Sequence, residues 1–253
     1  MKRLAPKVHP QRDEQFRYIV RMRRRFERKK QPIASVDAKQ KELVGRFRNR
    51  GKTWQIEPTV VNTYDYPNLA DYKATPYGIY DTQLNLGFVV VGISRNTPAF
   101  AVTSIAIWWR ECGRRHHPGA RHLLILADGG GSNGYRARAW KIELQKQLVD
   151  AYELRVTVCH YPTGASKWNP VEHRLFSEIS KTWAGTPLTS LEVIVSALKA
   201  TKTLGGLRVD ARLLLDVFEK QEVTEAEVAK TSIKRHKVCP AWNYTLSPRK
   251  KGK

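Results

Sequence analysis

Three carboxylates in this chain stand where an apolar run gives way to a turn or a helix start. The run from Arg121 through Leu123-Leu124-Ile125-Leu126-Ala127 ends in Asp128 and three glycines, Gly129 to Gly131. Asp37 closes a second short run, Pro32-Ile33-Ala34-Ser35-Val36, and Glu172 follows Asn169-Pro170-Val171 at a helix start. Carboxylates gathered at one point repel one another and are held together by a divalent cation; their hard oxygens suit magnesium or manganese. On a basic chain, a site of that kind fits a nucleic-acid phosphodiester as substrate.

Each acid has a structural alternative. An Asp before glycines is a common turn former, although the carboxyl ends of strands in open α/β sheets are also where ligands bind. Asn169, Pro170 and Glu172 have the spacing of a capping box, with Asn169 as N-cap and Glu172 at the third helical position. Glu42, Asp81 and Glu178 compete as acids; Glu178 lies six residues past Glu172 and on another side of the helix. The loop Gly129 to Gly134 lacks the Lys-Ser/Thr that ends a P-loop, so ATP binding has little support. His160 and His173 match no zinc-hydrolase spacing and read as supporting or structural residues. Trp108-Trp109 and Trp168 could each stack on bases, but the adjacent pair reads rather as core.

The elements that must position these acids follow from pattern. Gln11 to Lys30 has Phe16, Ile19, Val20 and Phe26 at helical spacing among arginines, a short basic helix. Residues 45–76 read as a long irregular loop. Tyr77–Asp81 and Leu86–Ile93 form a hairpin around Asn85. A wide-striped helix is expected from Pro98 to Cys112, then the strand into Asp128, a helix over Tyr135–Tyr152, a strand at Arg155–Cys159, and helices starting near Asn169-Pro170 and Thr189-Ser190. Three sequential strands followed by strands alternating with helices predict an antiparallel meander joined to parallel strands, the mixed α/β sheet of the ribonuclease H-like plan.

Composition agrees with a nucleic-acid partner. The 253 residues include 45 Lys and Arg against 23 Asp and Glu, a formal net charge of +22. Residues 1–30 hold 12 basic and 3 acidic residues, and residues 231–253 hold 7 basic and none acidic, which leaves a middle of only +6. Basic ends on a moderate body suit phosphate contacts along a nucleic-acid backbone. The reading is of a basic N-terminal helical segment (1–30), a catalytic domain (31–200) and a basic C-terminal extension (201–253). Cys112, Cys159 and Cys239 are far apart, with neither zinc nor disulfide spacing. No apolar run reaches membrane-spanning length and no signal peptide follows Met1, so a cytoplasmic protein without membrane contact is expected.

Three blocks carry a resemblance: Ser35-Val36-Asp37 to Gly45, Ala127-Asp128 to Tyr135, and Gly164 to Phe176 with its Asn169-Pro170-Val171-Glu172 core. With His116 to Arg121 and Trp242 to Thr245 they resemble the Rhodopirellula-type DDE transposase domain of bacterial insertion sequences. The third block is also similar to the third-carboxylate motif of Tc/mariner-like transposases. The resemblance implies a ribonuclease H-like fold and a triad of Asp37, Asp128 and Glu172 that holds two magnesium (or manganese) ions. It implies phosphodiester cleavage and DNA strand transfer, element ends and target DNA as partners, and copies of the chain assembled on that DNA beside the bacterial nucleoid. Only about thirty residues precede the Asp37 strand, so the helix-turn-helix modules usual in such enzymes are not expected here, as in a truncated form. A nuclease without strand transfer and an inactive DNA-binding relic are the competing readings.

Overall fold

A computed structural model of the chain describes residues 9–54 and 56–249. Residues 1–8 and 250–253 of the two basic ends lie outside the described residues. In chain order the elements are α1 (Arg12–Arg28), β1 (Ile33–Ala38), β2 (Glu42–Val44), β3 (Tyr72–Asp81), β4 (Leu86–Gly92), α2 (Pro98–Trp108) and α3 (Arg114–His116). They continue as β5 (His122–Ala127), α4 (Arg138–Leu144), β6 (Arg155–His160), α5 (Ser177–Thr182), α6 (Leu191–Ala200), β7 (Arg208–Leu214), α7 (Glu225–Ala229), β8 (Ile233–Arg235) and β9 (Asn243–Leu246).

The strands lie side by side in the order β7-β4-β3-β1-β5-β6-β9-β8, with the short β2 on β3. β1, β3 and β4 form the antiparallel meander, and β1, β5 and β6 run parallel. This is the mixed sheet of a ribonuclease H-like fold. The β3–β4 hairpin turns through Asn85 at φ 54°, a left-handed conformation that Asn tolerates better than most residues.

Both faces of the sheet are covered, which is why its central strands are apolar at nearly every position rather than at alternate ones. Val36, Tyr77, Phe88, Ile125 and Val158 face α2 and α4, where Phe100, Ile105, Trp108 and Trp140 complete the core. On the opposite face Tyr80, Val89 and Val91 meet Leu175, Phe176, Ile179, Ile194 and Leu198 of the Glu172 segment and α6. Further along that face Leu124, Leu126 and Cys159 meet Ile19, Met22 and Phe26 of α1.

α1 forms where expected but turns differently. Gln15, Ile19, Met22 and Phe26 are buried and Val20 is 45% exposed. Positions 15, 19, 22 and 26 make a narrow helical stripe, and Gln15 is tolerated within it because its amide is satisfied. Its Nε2 donates to the His160 carbonyl at 2.7 Å and to Asn243 Oδ1 at 2.9 Å, and its Oε1 accepts from Asn243 Nδ2 at 2.6 Å. The long irregular segment also ends earlier than periodicity suggested, because β3 begins at Tyr72 and pairs its first residues with β2.

The residues set apart as a C-terminal extension contribute three strands to the sheet. β7 pairs in parallel with β4, and β9 lies antiparallel to β6 and to β8. β7 alternates in burial from Arg208 to Ala211, a half-covered edge pattern that its charged residues hide at the level of composition. Trp108 and Trp109 are core residues, each 3% exposed. All three cysteines are free and buried. Among the described residues, no helix is long and apolar enough to cross a membrane.

Candidate active site

The parallel pairing of β1 with β5 sets Val36 opposite Ala127. Asp37 and Asp128 therefore stand one residue further on, at the carboxyl ends of neighbouring strands. Adjacent strands lie about 4.8 Å apart, so two side chains at matching positions emerge close together. The segment after β6 returns across the same end and delivers Glu172.

Two buried asparagines fix the aspartates. Asn169, fully buried, donates through Nδ2 to Asp128 Oδ1 at 3.0 Å and to the Val36 carbonyl at 3.2 Å. Its Oδ1 accepts from Ser35 Oγ, which in turn accepts the Val171 N–H at 2.9 Å. Asn133, 1% exposed, donates through Nδ2 to Asp37 Oδ1 at 3.3 Å, and Asp37 Oδ1 also accepts the Ala38 N–H at 2.8 Å. The capping box expected around Asn169 does not form. Its amide is committed to β1 and Asp128, and the helix opens instead with a wide turn, Glu172–Phe176, that has no side-chain cap.

The approach of that turn depends on a glycine. Gly78 of β3 pairs with Asp37, and a Cβ there would lie 2.4 Å from Phe176 Cε1 and 3.2 Å from Leu175 Cδ2. The missing side chain lets Leu175 and Phe176 lie flat on the sheet beside Asp37, which brings Glu172 to the same end.

The three acids sense one another. Burial, then the charge of Asp128 and also that of Glu172, push Asp37 up to about 7, against the pull of the Ala38 N–H and the Asn133 amide. Burial raises Asp128, opposed by its bond from Asn169. Burial and Asp128 raise Glu172, while a hydrogen bond with Asp37 and the charges of His173 and Lys39 draw it down. Burial and the charge of Asp128 thus raise the proton affinity of both Asp37 and Glu172. Among the described residues, no group of three or more His, Cys, Asp or Glu is arranged to hold a metal ion outright.

The competing acids are engaged elsewhere. Asp81 is bound by His117 Nε2 at 2.6 Å at the far end of the sheet, and Glu178 pairs with Lys181 at 2.8 Å. Glu42 pairs with Lys39. Lys39 Nζ also lies 4.9 Å over the Trp183 ring, which sets a partly buried cation beside Glu172. His160 is fully buried, and its Nδ1–H donates to the Asp128 carbonyl at 3.0 Å; burial takes its pKa down to about 4, so it is a neutral support. His173 is exposed. Lys39, Ser35 and Asn133 carried no local signal of their roles, because each depends on residues distant in sequence.

A mixed sheet of parallel and antiparallel strands with helices on both faces is consistent with the ribonuclease H-like fold of a transposase domain. The family model of the Rhodopirellula transposase DDE domain matches residues 1–248, and the chain belongs to that family. Among solved structures, a Mos1 transposase paired-end complex with left transposon end is similar at 16% identity and a TM-score of 0.49. The match covers 77% of this chain and 55% of that one. A Mos1 strand transfer complex is similar at 16% identity and a TM-score of 0.47, with the same coverage. The chain thus spans about half the length of these proteins. No curated protein matches.

Proposed function

We propose that the chain supplies the chemical step of DNA transposition: metal-dependent cleavage of a phosphodiester at an element end, followed by strand transfer. The observation that supports this reading is the register that sets Asp37 and Asp128 at the carboxyl ends of neighbouring parallel strands, with Asn169, three residues before Glu172, bonded to Asp128. The donor set fits a hard divalent cation, since all three side chains offer carboxylate oxygens and their mutual repulsion is relieved by positive charge. Asp37, Asp128 and Glu172 would hold magnesium or manganese, two ions in the reading taken from the family. Bound there, the ions would activate the attacking oxygen and stabilise the leaving one.

The chain's own residues prepare that chemistry. Asn133 and Asn169 each bind one oxygen of an aspartate, which orients the carboxyl groups. In hydrolysis, a water oxygen bonds to phosphorus, the bond from phosphorus to the 3′ oxygen breaks, and a proton ends on that oxygen. In strand transfer, a 3′-hydroxyl replaces the water and the number of phosphodiester bonds is conserved. The same carboxylates serve both steps because the nucleophile is an oxygen in each. The net charge of +22 favours DNA as the polyanion, and element ends, target DNA and further copies of the chain complete the proposed assembly, acting in the cytoplasm on the chromosome.

The test is incubation of a labelled DNA end with the protein and Mg2+ or Mn2+. Joined products support transposition, cut products alone a nuclease, and binding without chemistry a DNA-binding relic. Asp128→Asn is expected to abolish cutting and joining while salt-sensitive DNA binding stays. Normal cutting by that variant would remove Asp128 from the proposed role.

A further inference from the structure

One exposed aromatic lies beside the carboxylates. Trp168, 55% exposed, ends the short turn Ser166–Trp168 and directly precedes Asn169, the residue bound to Asp128. Its ring meets the edge of Phe16 at 5.9 Å, and Lys167 Nζ lies 5.8 Å over it. Phe16 belongs to α1, and Phe16, Arg17, Val20, Arg21 and Arg24 line one surface groove, with Glu14 the acid at its N-terminal end. Arg17, Arg21 and Arg24 enter no ion pair among the described residues. α1 is anchored by its opposite stripe, Ile19, Met22 and Phe26, so its outward arginines are presented by a fixed element.

We propose that Trp168, Phe16 and the Arg17–Arg21–Arg24 stripe form a track for single-stranded DNA, with one unpaired base stacked on Trp168 and the adjoining phosphates on α1. An exposed indole stacks only on a base whose own face is free, which selects an unpaired nucleotide over a duplex. From Arg17 to Arg24 the helix rises about 10 Å, a length along which three guanidinium groups can follow a short stretch of a single-strand backbone. The strand would leave the carboxylates through Trp168 and follow α1. The proposal rests on the reading of those carboxylates as a DNA site, because that reading sets where the strand leads.

The experiment uses the full chain in EDTA, so that no chemistry intervenes, with fluorescently labelled (dT)12 as probe and anisotropy read across a salt series. Trp168→Ala is expected to weaken binding at least about five-fold, the lower end of one stacked base, without changing the salt slope. Trp168→Phe should stay within about two-fold of the parent. The Arg17→Ala/Arg21→Ala/Arg24→Ala variant should flatten the slope by about two, at about 0.7 for each single-strand phosphate. A probe carrying 5-iodouracil should photocrosslink to Trp168 in the unaltered protein. Parent-like affinity of Trp168→Ala, crosslinks confined to other residues, or equal competition by a duplex of the same length would each overturn the track. Parent-like (dT)12 binding by Trp168→Ala, with cleavage abolished by Asp128→Asn, removes the track and leaves the carboxylate reading standing. Weakened (dT)12 binding with no cleavage under any metal does the reverse.

Discussion

Asp37→Asn should stabilise the metal-free protein and destroy its chemistry. Asp37 is pushed from 3.8 up to about 7, chiefly by burial and by Asp128. Between those values the folded state holds a proton that the unfolded state has released, so stability from this group is fully present below about pH 4 and falls as pH rises to about 7. A shift of about 3 units at ~1.4 kcal/mol each sets an upper bound of about 4 kcal/mol above pH 7. Asp128 and Glu172 share the repulsion, so about 2–4 kcal/mol is the range to expect. Asparagine keeps the Oδ1 that accepts from Ala38 and Asn133 and removes the charge. Urea and thermal melts in EDTA at pH 5 and pH 8 should show the unaltered protein losing stability across that interval and the variant losing much less. At pH 8 the variant should melt about 4–16 °C higher, at about 2–4 °C per kcal/mol for a chain of this size. Added Mg2+ should raise the melting point of the unaltered protein and leave that of Asp37→Asn nearly unchanged. A variant that melts lower at pH 8, or that keeps the full pH dependence, refutes the picture of a crowded, charge-strained cluster.

Other substitutions probe how the cluster is built. Gly78→Ala drives a methyl into Phe176 and Leu175 and should cost about 1–3 kcal/mol in urea melts, with a further loss of cleavage because the Glu172 turn is displaced. Asn169→Ala leaves the Ser35 hydroxyl without its acceptor and Asp128 Oδ1 without its donor and should cost about 2–3 kcal/mol; cleavage should recover partly at high Mn2+ if the lost function is orientation of Asp128. Phe26→Ala opens a cavity between α1 and the sheet and should cost about 3–5 kcal/mol, read by the same melts. Tyr244→Phe removes the hydroxyl that accepts from Trp140 Nε1 at 2.9 Å, with a cost of about 1–3 kcal/mol and unchanged cleavage.

Much of this architecture was legible in sequence because burial on both faces leaves long apolar runs. The strands that carry Asp37 and Asp128 announce themselves as Ile33–Val36 and Leu123–Ala127, and the hairpin announces itself through Asn85. What stayed hidden depends on partners far away in the chain. Asn169 has the spacing of a cap, and only the position of β1 and Asp128 shows that its amide is used elsewhere. Gln15 is polar, so no hydrophobic pattern marks it as core; its place is set by Asn243, 228 residues further on. The strands after residue 200 were obscured by charge, since β7 is a sheet edge with arginines at positions 208 and 212. Gly78 shows the same limit from the other side, because its importance lies in the ring that fills the space it leaves.

In the proposed function Asp37, Asp128 and Glu172 form one cation site. Manganese anomalous diffraction from a crystal of the unaltered protein tests it directly. An anomalous peak bound by carboxylate oxygens of all three residues is expected. A crystal soaked in Mn2+ with no peak there, or with its peaks held by other side chains, would contradict it.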